Sequence, residues 1–245
     1  MPSRGLPITI TKGELAELRL LAKGPQPAYV EHGNRARART QNRLVLDFGM
    51  AVYRPSNAHP TTCEITGAGI HAIPAPAWTA TTVRQPWAEA LIRLGKGIEN
   101  RERHDGTVPT ICRLRGVVLI HAAAGCSRSE HYVATNAMRG NGVLPDGMFP
   151  PGYKELVRGG IIGVMRAIGL VLPDGRVLID QATTPEQRNV DMRWHEPGQH
   201  GLVLVDPMRL PFVPCKGQLG PFKVNDELLG PNVARLVHEY AARCP

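Results

Sequence analysis

The sequence predicts an α+β protein in which a small, helix-led N-terminal domain precedes a larger β-rich one, and three observations carry that prediction. Only 5% of the 245 residues are aromatic, while 26 glycines and 22 prolines punctuate the chain, a composition that favours turns and extended connections over a helical bundle. Helical periodicity marks the first 50 residues, whereas β-branched runs bounded by Gly and Pro recur after residue 115. Between them, "AIPAPAW" places Pro74 and Pro76, which remove backbone donors and hold their predecessors extended. The boundary is therefore set there, giving domains 1–75 and 76–245, and 42% apolar content suffices for packed cores.

In the first domain, "TKGELAELRLLAKG" opens with a capping box, Thr11 at the N-cap and Glu14 three residues on. Leu15, Leu18, Leu21 and Ala22 then share one face ahead of Gly24. A second helix is expected in "NRARARTQNRLVLDFG", from an Asn34 N-cap to Gly49, with Leu44, Val45 and Phe48 as its apolar stripe. Arg35, Arg39 and Arg43 recur at i, i+4 and i+8 and so share a face, with Arg37 off it. "MAVYR" and "TTCEI" read as short strands around "PSNAHP", and Thr66 caps a last helical turn in "GAGIHAI". Helix, Arg-rich helix and two-stranded wing, in that order over 10–73, resemble a winged helix-turn-helix module. The resemblance implies DNA binding, with the Arg35/Arg39/Arg43 face against a groove or backbone and the wing at 50–65 touching phosphates. Like charges on one helix face repel by tenths of a kcal/mol each, which makes more sense opposite phosphates; a solvated or partner-docking face is the other reading.

The second domain opens with a strand at "TATTV". Pro86 suits a first helical turn, followed by Trp87, Leu91 and Leu94 at i, i+4 and i+7, with Gly95 and Gly97 as stops. Strands are predicted at "RGVVLIHAAA", "GGIIGVMRAIGLVL" and "GLVLVD", a turn at "LPDGRV", and a terminal helix at "VARLVHEYAARC". The connections near 123–158 and 180–200 are far longer than ordinary loops, so local helices or functional loops are expected in them.

"RQPWAEALIRLGKGIENRE", "RGVVLIHAAA", "GGIIGVMRAIGL" and "GLVLVDPMRLPFVPCKGQLGPFKV" occur in the order of the ASCH (ASC-1 homology) domain family of the PUA-like superfamily, and the resemblance spans 79–224. Its most diagnostic element is a Lys-x-x-Glu-x-Arg signature, met by Lys96, Glu99 and Arg101; the family's usual glycine two before the lysine is Leu94 here, with Gly95 beside it. The resemblance implies a PUA-like β-barrel with flanking helices and a cleft, lined by the signature, for RNA or a nucleotide. Arg84 and Gln85 sit where the family places cleft-lining residues, Gln85 with an amide suited to a base edge. Some members resemble hydrolases, either metal-independent ribonucleases or amidohydrolases on modified nucleosides; the latter carry a threonine where this chain has Glu99.

The residues themselves frame the same question. A strand entering at Gly97 alternates faces, putting Glu99 and Arg101 on one side and Ile98 and Asn100 on the other. In a buried cleft, desolvation and Arg101 drive Lys96 toward a neutral amine, able to act as base or nucleophile, while Glu99 holds it charged, able to bind phosphate. With Glu99 so near, the charged form is favoured. A surface salt bridge worth about 0–1 kcal/mol is the plain alternative. Trp87, at helical spacing, reads as core, and His121 as a hydrogen-bonded structural histidine with acid–base work as the other possibility.

Net charge is +8, with pI near 9.6, and 1–75 holds nine basic and five acidic residues against twenty and sixteen thereafter. Polyanions are the expected partners. Five scattered cysteines without a C-x-x-C pair suggest reduced thiols and no structural zinc; "HEPGQH" has the wrong spacing and a helix-breaking Pro for a zinc motif. No metal or cofactor is expected. The N-terminal stretch lacks a signal peptide's apolar core and no apolar run is long enough to span a membrane, so a cytoplasmic protein without a membrane partner is expected. Two functions stand: a nucleic-acid-binding protein using Arg84, Gln85, Lys96 and Arg101 for RNA or a nucleotide and Arg35, Arg39 and Arg43 for DNA, or a hydrolase with Lys96 and Glu99 catalytic.

Overall fold

The computed structural model describes residues 11–23, 26–27, 37, 40–41, 43–44, 50–54, 62–65, 77–103, 105–144, 146–180 and 184–243. The chain divides into two compact units, Met1–Ala75 and Pro76–Pro245. No helix among the described residues is long and apolar enough to cross a membrane.

In the first unit, helix α1 (Lys12–Leu21) starts from the capping box that its sequence encodes: Thr11 Oγ1 accepts the Glu14 N–H at 3.2 Å and Glu14 Oε2 accepts the Thr11 N–H at 2.7 Å. Leu18 and Leu21 are buried, and so, unexpectedly, are Glu14 and Glu17. A buried carboxylate needs compensating donors. Glu17 receives the Arg37 guanidinium at 2.7 and 3.0 Å and the Gln41 amide at 2.7 Å, and Glu14 pairs with Arg43 at 2.9 Å. Arg37 and Gln41 are helical, but Arg35, Arg39, most of the second expected helix and the expected turns at 55–60 and 67–73 lie outside the described residues. Strands β1 (Gln26–Pro27), β2 (Ala51–Arg54) and β3 (Thr62–Ile65) form an antiparallel sheet in the order β1-β3-β2, with Ala51 opposite Ile65.

The second unit contains β4 (Ala77–Val83), α2 (Trp87–Arg93), β5 (Ile98–Arg101), β6 (Gly116–Ala122), α3 (Arg128–Gly140), β7 (Gly160–Val171), β8 (Val177–Ile179), β9 (His200–Pro214), β10 (Pro221–Asn225) and α4 (Asp226–Arg243). The protein is thus α+β. Its main sheet runs β10-β4-β6-β7-β9-β5, with β8 on β7; β4 and β6 are parallel and the other pairs antiparallel. Bulges in the β6–β7 and β7–β9 ladders accompany its curl into a half-barrel. β7 is buried almost throughout because both faces of the sheet are covered. Ala88, Leu91 and Ile92 of α2 pack with Ile120, Ile162 and Met165 on one side, and Leu229, Val233, Val237 and Tyr240 of α4 with Leu119, Ile161 and Val164 on the other. Each such fully buried aliphatic side chain contributes about 1.5–3 kcal/mol.

Several elements differ from the sequence expectation, the unexpected short strands β1 and β8 among them. The strand expected at "GLVLVD" continues to Pro214, because Pro207 and Pro211 fall where the β7–β9 register shifts and no ladder donor is required of them, and Pro214 closes the strand opposite Gly160. The short strand β10 lies outside the sequence expectation: Phe222 and Val224 alternate with exposed Lys223 and Asn225, but five residues are too few to mark a strand alone and take strand form by pairing with β4. The terminal helix begins at Asp226 and is interrupted by a non-helical Gly230 ahead of Pro231.

Candidate functional site

The signature lysine is placed by the end of α2. Leu94, buried in the core, caps the helix, and Gly95 adopts φ +76°, a left-handed conformation that lets the Lys96 N–H turn back onto the Ala90 carbonyl at 3.1 Å. The glycine beside Leu94 thus supplies the turn. β5 then pairs antiparallel with β9, Glu99 opposite Leu202 and Arg101 opposite His200. Alternation along β5 does what its sequence requires: Ile98 enters the core while Glu99 and Arg101 form an ion pair, Nη1 to Oε1, at 2.9 Å.

Lys96 is buried, 3% exposed, although it carries a cationic head. Its Nζ donates to Glu99 Oε2 at 2.8 Å and to the Ile98 carbonyl, and lies 5.8 Å from the centre of the Trp87 ring. Arg101 also donates to the Thr82 carbonyl at the end of β4, 2.9 Å away. Glu99 therefore holds two cations at once. Burial pushes its carboxyl upward, but Lys96 and Arg101 together prevail and hold it below the usual carboxylate range. Burial likewise pulls the Lys96 ammonium below its ordinary value, opposed by Glu99 and reinforced by Arg101.

These side chains line a cleft of about 300 Å³ together with Arg84, Trp87 and Trp194. Arg84 is exposed and pairs at 2.5 Å with Glu130, which belongs to the capping box that starts α3. Trp87 is half-buried: it packs on the core, as its spacing suggested, and also faces the cleft. Trp194 is 5% exposed and comes from a short 3₁₀ turn, Met192–Trp194, within the long connection near 180–200. Asn100 anchors that wall. Its Nδ2 donates to the Trp194 carbonyl at 2.8 Å, and its Oδ1 accepts the Glu196 N–H at 3.2 Å.

Lys96, Glu99, Arg101 and Arg84 are thus brought to one cleft. Gln85 is not: it is buried beside a neighbouring hollow, donating to the Val157 carbonyl at 2.7 Å and accepting the Glu89 N–H at 3.1 Å. Arg43 lies in the other unit, paired with Glu14. Sequence reasoning missed Trp194, Asn100, Glu196 and Gln199 as cleft residues. The available signal was a tryptophan inside a polar connection, a side chain too large and apolar to be left in solvent without purpose. His195 hydrogen-bonds within its own loop to the Gln199 carbonyl at 3.0 Å, and among the described residues no cluster of His, Cys, Asp and Glu is arranged to hold a metal ion. His121 Nε2 meets the Cys215 carbonyl at 3.0 Å, consistent with a structural histidine.

Compared with known proteins, the chain matches no family model, and no curated protein matches it in sequence. What the site can do chemically follows from its parts. Half-buried Trp87 offers indole surface for stacking, Arg101 and Arg84 keep N–H donors beyond those used in their ion pairs, and the buried Lys96–Glu99 pair sets a fixed charge pattern in the cleft.

Proposed function

We propose that the protein binds nucleic acid in the cytoplasm, with an ASCH-like, PUA-like cleft for RNA or a nucleotide. The observation that carries this reading is the joining of a buried Lys96–Glu99 pair, a partly exposed Arg101 and two tryptophans, Trp87 and Trp194, in one cleft of about 300 Å³. A base needs flat apolar surface for its faces and fixed donors and acceptors for its edges. Glu99 orients Lys96 and accepts from base amino groups, while Arg84 and Arg101 meet phosphate. In the same reading 1–75 is a winged-helix module for DNA; helix α1 and the antiparallel pair β2–β3 support it, and Arg35, Arg39 and Arg43 are its contacts. Affinity should fall steeply as salt rises.

A hydrolase is the second reading, favoured by one observation: burial draws the Lys96 ammonium toward the neutral amine that a base or nucleophile requires. Incubating end-labelled single-stranded RNA with wild type and Lys96→Ala in the presence of chelator, resolved on a denaturing gel, separates binding from the ribonuclease form of that reading; the amidohydrolase form is read by acyl release from a modified nucleoside. Intact RNA in both lanes, with salt-sensitive binding by wild type that weakens at least about ten-fold in Lys96→Ala, is the expected result. Cleavage by wild type alone would replace binding with catalysis, and salt-insensitive weak binding to every nucleic acid would sink both readings.

A further inference from the structure

A second hollow of about 580 Å³ opens next to the first, and Arg84 and Arg101 line both. Its other walls come from residues 81–82, 102–103, 109–111, 123, 125 and 218–220. Three arginines, Arg84, Arg101 and Arg103, line it against a single acid, Glu102. Their ion pairs with Glu130, Glu99 and Asp105 each leave guanidinium N–H groups over. Thr82, which lines it, has its Oγ1 buried without a hydrogen-bond partner beside Gly217, as does the neighbouring His121 at Nδ1. Because the Cys215 carbonyl can only accept, His121 carries its proton on Nε2 in the neutral ring, which makes Nδ1 an acceptor. A β-carbon at position 217 would stand 2.8 Å from each of these atoms, so only a glycine backbone covers them. At the rim, Leu219 is fully exposed, an apolar surface on an otherwise polar loop.

We propose that this hollow is a subsite for the next nucleotide of a single strand whose base occupies the first cleft, with Arg84 and Arg101 gripping the phosphodiester between them. The inference rests on the nucleotide-binding reading of the first cleft and extends it: the ligand is an oligonucleotide rather than a free nucleotide. Two features point this way. The shared arginines stand on the boundary between the hollows, where a strand passing from one to the other must place its phosphate. The first cleft lies at the small end of ligand sites, so a lone nucleotide fills it and leaves the larger hollow unused. Exposed Leu219 then offers a surface for the second base, in the sequence-tolerant manner of single-strand binding sites.

The test is calorimetric titration of the full chain with the four ribonucleoside 5′-monophosphates, then with the ribotrinucleotide that carries the tightest of those bases between two uridines, and with its deoxy counterpart. The trinucleotide should bind at least about ten-fold more tightly than the monophosphate, because linked contacts act at high effective concentration. The deoxy arm distinguishes an RNA strand from a DNA strand as the source. Gln218→Glu/Leu219→Glu puts two carboxylates at the rim of the second hollow, on exposed positions, and leaves every described ion pair intact. It should abolish the length-dependent gain while changing monophosphate affinity by no more than about two-fold. A trinucleotide no tighter than the monophosphate, or a gain that survives the double variant, overturns the subsite while leaving the first cleft's reading standing. Binding of neither ligand overturns both.

Discussion

Glu99→Gln would leave Lys96 and Arg101 without the carboxylate they share. Removing one partner of a buried ion pair costs about 3–5 kcal/mol, since the other charge stays desolvated. Lys96 bears nearly all of that cost, being 3% exposed, whereas Arg101 is about a third exposed and keeps the Thr82 carbonyl. The loss has a ceiling, because Lys96 can release its proton. For an amine with an ordinary pKa near 10.4, doing so costs about 5 kcal/mol at pH 7 and about 1 kcal/mol at pH 9.5. The expected destabilisation is therefore about 3–5 kcal/mol at pH 7, shrinking to about 1–2 kcal/mol at pH 9.5. The direction follows from proton uptake: the folded variant holds Lys96 neutral while its unfolded chain binds the proton, so stability rises with pH up to the unfolded value. In wild type burial lowers Lys96 too, but Glu99 opposes it, so the rise is shallower. Urea unfolding followed by tryptophan fluorescence is the assay, and it reports on the second unit, because Trp78, Trp87 and Trp194 all lie in it. A loss below about 1 kcal/mol at pH 7, or one equal at both pH values, would refute a desolvated pair.

Asn100→Ala removes both hydrogen bonds that seat the 194–196 backbone, so stability should fall by about 1–3 kcal/mol. Fluorescence emission should also shift to the red as Trp194 gains solvent, and unchanged emission would show that the wall stands without its clamp. Gly217→Ala drives a β-carbon to within 2.5 Å of the His121 ring and should cost about 1–3 kcal/mol in urea unfolding, whereas Gly125→Ala, with open space around it, should be nearly neutral. Equal effects would mean the loop over His121 yields freely. Burial pushes the Cys112 thiol up to about 12, so a disulfide reagent at pH 8 should modify Cys126 well before Cys112. Matching rates would show that Cys112 is reached by local opening.

What could be read along the chain was what neighbours in sequence decide. Thr11 and Glu14 form a capping box because both partners lie within one turn. Trp87, Leu91 and Leu94 share a helix face at their spacing, and Glu99 and Arg101 share a strand face because alternate residues always do. The strands at 116–122 and 160–171 announced themselves through long apolar runs broken only by His121 and Arg166, the pattern of a strand covered on both sides. β10 gave no such signal, since an edge strand of five residues depends on what it pairs with.

Only the tertiary structure decided which polar groups are buried and what faces the cleft. α1 reads as an ordinary amphipathic helix with exposed glutamates, yet Glu14 and Glu17 are buried because Arg43, Arg37 and Gln41 arrive from the next segment to satisfy them. Gln85 and Arg84 are neighbours, but one is consumed by the Val157 carbonyl while the other lines the cleft. The second tryptophan wall reaches Lys96 across nearly a hundred residues, held by a single asparagine amide. By itself the sequence determined the capped start of α1, the strand faces and the charge pattern of the signature, because those follow from backbone periodicity and nearest neighbours. The closing of the cleft and the burial of its ion pair were decided by long-range pairing, where a side chain's partner is set by sheet register and loop path rather than by any spacing along the chain.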